Sequence, residues 1–88
     1  MAVVLELNQE NIEMAKDKIR AISEAFVRDP IDIKSIYQRK KFYGNRIAFE
    51  RQIVFRFVWA KFVYKENSST GYISIRNLET GELIADNE

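Results

Sequence analysis

Nine cations fall between residues 34 and 65, namely Lys34, Arg39, Lys40, Lys41, Arg46, Arg51, Arg56, Lys61 and Lys65, against one carboxylate, Glu50. The flanking segments, 1–33 and 66–88, carry net charges of −3 and −4, so the whole chain is only +1. The basic segment also holds Tyr37, Phe42, Tyr43, Phe49, Phe55, Phe57, Trp59, Phe62 and Tyr64. Cations interleaved with rings suit a polyanion with flat bases: phosphates attract cations, and unpaired bases stack on ring faces. The densest cluster is Arg39-Lys40-Lys41 with Arg46, bracketing Phe42, Tyr43 and Gly44. Arginine can grip a phosphate through two donors, lysine meets it as a point charge, and Tyr43 is placed to stack on a base. The plainer reading of this cluster is a solvated helix end with Phe42 turned inward. A second set, Arg46, Arg51, Arg56 and Lys61, repeats every five residues. That spacing alternates faces in an unbroken strand unless a bulge regroups the side chains. It equally suits charges that keep a hydrophobic strand from aggregating.

Other chemistries are closed off by composition. The chain has no histidine and no cysteine, which excludes imidazole acid–base catalysis, disulfides, thiolate metal sites and the commonest zinc sites. No phosphate-binding glycine loop or nucleophile elbow is present. Glu50 among arginines reads as an ion-pair partner and not as a general base. The expectation is a non-catalytic protein with no metal and no cofactor.

The elements that must position these residues follow from periodicity. Residues 2–7 alternate as a short strand. Asn8 stands where a helix cap belongs, and Ile12, Ala15, Ile19, Ile22 and Phe26 share one face of a helix over residues 9–27. Pro30 ends that helix, and Asp29 would cap a short second one with Ile33, Ile36 and Tyr37 on one face. The alternative there is an extended segment with alternating isoleucines over 31–36; the helix is preferred. Tyr43-Gly44-Asn45-Arg46 is a turn. Residues 46–65 contain no Gly or Pro and alternate as a strand. Ile47, Phe49, Arg51, Ile53, Phe55, Phe57 and Trp59 lie on one side, and a bulge or bend is expected near Arg51 or Lys61. Shorter strands follow over 71–77 and 82–85, joined by a turn at Gly81.

The predicted fold is α+β: one long amphipathic helix, with a possible second short one, on a three- to four-stranded, mostly antiparallel sheet. At 88 residues the chain reads as a single domain. A core this small without staples favours a homodimer or larger homo-oligomer, with at least one of Trp59, Phe62 and Tyr64 at the contact. With no signal peptide or membrane span in the sequence, a cytoplasmic protein is expected, in the host cytoplasm if phage-encoded.

The basic-aromatic stretch Gln38-Arg39-Lys40-Lys41-Phe42-Tyr43-Gly44-Asn45-Arg46 resembles, in character, small early proteins of T-even-like phages, namely the small RNA-binding inhibitors of host toxin–antitoxin defence. The resemblance implies RNA binding that bridges to, or blocks, a host ribonuclease toxin. Residues and resemblance together set the expectation of a nucleic-acid-binding protein, RNA preferred. Arg39, Lys40, Lys41, Tyr43, Arg46, Arg51, Arg56 and Lys61 are the candidate contacts. The alternative is an inhibitor whose basic face docks on an acidic host protein.

Overall fold

The helix begins where the cap signal places it. In the computed structural model, which describes residues 2–27 and 30–88, the Asn11 backbone N–H donates to Asn8 Oδ1 at 2.9 Å. From there α1 runs over Gln9–Ile22. Ser23 turns extended and stops it, and its hydroxyl accepts from the Ala25 N–H at 3.3 Å to open a single 3-10 turn, Glu24–Phe26. That turn keeps Phe26 on the core side although the helix ends earlier than its periodicity suggests. The Phe26 ring meets Phe55, Phe57 and Phe62 edge-on, with centroids 4.8–5.7 Å away, the geometry that ring quadrupoles favour.

All other regular structure is β. The strands are β1 (Ala2–Val4), β2 (Ile31–Tyr43), β3 (Arg46–Phe57), β4 (Ala60–Asn67), β5 (Tyr72–Asn77) and β6 (Leu83–Asp86). They form one six-stranded antiparallel sheet in the order β1-β2-β3-β4-β5-β6. The expected α+β fold with three or four strands is therefore corrected to a mostly β fold with one helix. Two local events explain the difference. The second helix does not form; its residues belong to β2, and the expected cap Asp29 lies outside the described residues. A register shift between Ile33 and Ser35 inserts one residue into β2. Ile31, Ile33 and Ile36 thereby all face the core, at 7% exposure or less, and the 33/36 spacing imitates a helix. Residues 46–65 are likewise two strands, not one bent strand. β3 and β4 join through a two-residue turn at Val58 and Trp59, with Phe57 paired to Ala60. The expected bulge near Arg51 or Lys61 is thus replaced by this turn. The turn restarts the alternation, so Tyr64 is buried at 1% exposure and Phe62 stacks on Phe55 at 5.6 Å. Of the three expected contact residues, Trp59 alone stands in solvent, 89% exposed.

The core lies between α1 and one face of the sheet. Ala15, Ile19 and Phe26 pack against Ile31, Ile33, Ile36, Ile53, Phe55, Tyr64 and Ile75. Ile36, Ile53, Tyr64 and Ile75 form one continuous cross-strand row. No helix among the described residues is long and apolar enough to cross a membrane.

Candidate nucleic-acid interface

Because side chains alternate across a strand, the register that buries one face dictates the other. The uncovered face is built of rows. Tyr37 pairs with Gln52, Gln52 with Lys65, Lys65 with Ser74, and Ser74 with Asp86. The next row is Arg39, Glu50, Asn67 and Tyr72. Toward the β2–β3 turn lie Lys41 with Ala48 and Tyr43 with Arg46; toward the β3–β4 turn lie Asp32, Arg56 and Lys61. Arg76 pairs with Val63 on the same face. The face therefore carries seven cations, Arg39, Lys41, Arg46, Arg56, Lys61, Lys65 and Arg76. They stand against three carboxylates, Asp32, Glu50 and Asp86.

Those carboxylates are already engaged. Glu50 Oε1 pairs with Lys41 Nζ at 2.6 Å, Asp32 Oδ2 with Lys34 Nζ at 2.7 Å, and Asp86 Oδ2 accepts the Tyr72 hydroxyl at 3.2 Å. The hydrogen bond from Lys34 holds the Asp32 carboxyl below its usual pKa. Burial, and then the Asp86 bond, raise the Tyr72 phenol above its ordinary pKa. Among the described residues, Arg39, Arg46, Lys61 and Lys65 have no carboxylate within ion-pair distance. Arg56 donates from Nε to the Val58 carbonyl at 3.3 Å and stands directly opposite Lys61. Like charges opposite one another across a strand pair repel, and an anion between them relieves that cost.

The remaining sequence candidates divide. Tyr43 is exposed at the end of the β2–β3 hairpin, beside a turn that Gly44 makes possible at φ 60°. Lys40 falls on the opposite parity and lies over the Phe49 ring, 5.9 Å from its centroid. Arg51 is turned to the helix-covered side and is not with the others. Its Nε donates to Gln38 Oε1 and its Nη1 to Glu66 Oε1, each at 2.9 Å. Glu66 Oε1 also accepts the Tyr64 hydroxyl at 3.0 Å, and Lys18 approaches it at 3.8 Å. Arg51 thus ties β2, β3 and β4 together on the covered side, where the alternation of β3 puts it, while Arg46 and Arg56, five residues to either side, fall on the other face. Sequence reasoning missed Lys65, Arg76, Tyr37 and Tyr72. Lys65 lies four residues from Lys61 on β4 and so shares its face; what the turn at Val58 decides is that this face is also that of Arg56 and Gln52 on β3.

That turn is strained. Val58 sits at φ 58°, a region that β-branched residues avoid at a cost of about 1–3 kcal/mol. It leaves Trp59 in solvent at the turn that follows the Arg56–Lys61 pair. Along β3, Arg46 and Arg56 are ten residues apart, about 34 Å at strand rise, within the long dimension of 42 Å. The hairpin's other face is different in kind: Phe42, Ile47 and Phe49 are exposed there together.

Compared with protein-family models, with curated proteins and with solved structures, the chain shows no significant match.

Proposed function

We propose that the protein binds single-stranded nucleic acid, RNA in preference, along the uncovered sheet face and without catalysis. The observation that carries this reading is the set of cations without carboxylate partners, Arg39, Arg46, Lys61 and Lys65, spread along a face that also presents Tyr37, Tyr43 and, at its tip, Trp59. Phosphates supply the missing counter-charge, and the rings offer stacking platforms. A single strand is favoured over duplex DNA, because α1 is committed to the core and the exposed rings of Tyr37, Tyr43 and Trp59 suit unpaired bases. RNA is favoured because its specific recognition targets unstacked bases in loops and ends. It is also what the resemblance to the phage inhibitors implies. The test is equilibrium binding of fluorescent oligouridylate, the matching deoxy strand and a DNA duplex. Retention of the single strands at low salt, RNA first, is expected; preferential retention of the duplex overturns the reading.

One observation favours a second reading. Phe42, Ile47 and Phe49 form an exposed apolar patch on the back of the basic hairpin, a pattern that suits a protein partner or a second copy of this chain. Phe42→Ser with Phe49→Ser then abolishes capture or self-association and leaves oligonucleotide affinity intact.

A further inference from the structure

The middle of the uncovered face is concave. A hollow of about 410 Å³ lies over β3, β4 and β5, walled by Tyr37 on one side and Tyr72 on the other. The two tyrosines are three strands apart and one row offset, about 16 Å between backbones. Tyr72 is held by its hydrogen bond to Asp86, so one wall is fixed before any ligand arrives. The floor holds Gln52 and Ser74. Ser74 is only 5% exposed, and neither side chain makes a hydrogen bond to another described group. An amide and a hydroxyl left open together offer both donors and acceptors, which is what the edge of a base requires. Asn67 on the rim has its Oδ1 taken by the backbone N–H groups of Ser69 and Thr70, leaving its amide N–H₂ to donate. Lys65 rises from the same floor without a carboxylate partner.

We infer that this hollow takes one unstacked nucleobase of the bound strand, its face against a tyrosine, its edge on Gln52 and Ser74, and its phosphate at Lys65. The inference rests on the nucleic-acid reading above and gives it a base-selective centre. A phosphate alone would meet Lys65 and leave the amide, the hydroxyl and both rings unused. The lining also carries Arg76 and the ion-paired Glu50, Arg51 and Glu66, so it is the size of the hollow with its rings, amide and hydroxyl that points to a nucleotide and not to a simple anion.

The experiment compares oligouridylate of about eight nucleotides with an abasic ribose-phosphate strand of equal length, by fluorescence anisotropy at low salt. The intact strand is expected to bind at least about 5-fold tighter, the low end of what stacking a single base supplies, with bases on Tyr43 and Trp59 adding to the ratio and the Tyr37 variant isolating the hollow's share. Tyr37→Ala should shrink that ratio and leave the salt slope of both strands unchanged. Gln52→Leu keeps the bulk but removes the polar edge, and should narrow the differences in affinity among oligouridylate, oligoadenylate and oligocytidylate. It provides an independent reading if Tyr37→Ala fails to fold. Equal affinity for the intact and abasic strands overturns the base pocket while leaving the cationic track standing. Absence of binding to either strand overturns the pocket and the underlying reading together.

Discussion

Replacing Ile19 by alanine tests whether α1 is what seals the covered face. Ile19 has no exposure and lies in the cluster with Ile36, Ile53, Phe55, Tyr64 and Ile75. The change removes three buried carbons, about 2.4 kcal/mol at ~0.8 per methylene. Each ~40 Å³ of space that fails to close adds about 1 kcal/mol, so the expected loss is roughly 2.5–4 kcal/mol. A chain of 88 residues holds about 4–13 kcal/mol in total, so this is about a fifth of its stability or more. At ~4–8 °C per kcal/mol for a domain of this size, the melting temperature should fall by at least about 10 °C. Thermal and urea melts measure it, with Ile84→Ala on the exposed edge strand as a control expected to move the midpoint little. An Ile19→Ala melt within about 2 °C of wild type would refute the packing of α1 on the sheet.

Glu66→Ala should cost roughly 1–3 kcal/mol in urea melts, because it strands the Tyr64 hydroxyl and the Arg51 guanidinium together; Arg51→Gln should leave oligonucleotide affinity within twofold, whereas a large loss would place Arg51 in the interface after all. Stability should decline above about pH 10. Burial, and then the bond to Glu66, raise the Tyr64 phenol above its ordinary value of 10.0. Below that pH both states keep the proton; above it the unfolded chain ionises first and the folded state loses ground. Tyr64→Phe should flatten this alkaline limb, and an unchanged limb would contradict the assignment. Trp59→Ala should leave the melt unchanged within about 0.5 kcal/mol while weakening single-strand binding roughly 5- to 150-fold if the ring stacks on a base.

How much of this was legible in the sequence differs by element. Asn8 and the Ile12, Ala15, Ile19 spacing locate α1, because capping and amphipathic periodicity act within a few residues. The alternation from Ile47 to Phe57 assigns faces correctly, because a strand facing one core must repeat every two residues. Two things were hidden. The bulge at Lys34 makes a strand look helical, and Val58 makes a turn in a left-handed conformation that its side chain disfavours. Both are places where tertiary packing overrides local preference. The candidate site reflects both: Arg39, Arg46 and Arg56 come together on one face, Arg51 goes to the other as the β3 alternation implies, and the turn at Val58 brings Lys61 and Lys65 onto the face of Arg56.

The central claim, a track of cations awaiting phosphates, is tested most directly by the salt dependence of oligouridylate binding. If Arg39, Arg46, Lys61 and Lys65 each neutralise one phosphate, log K should fall with log salt at a slope of about −2.8, at ~0.7 per contact for a single strand. Arg39→Gln with Arg46→Gln should bring the slope to about −1.4. A wild type that retains no strand at low salt, or a double variant with the wild-type slope, would contradict it.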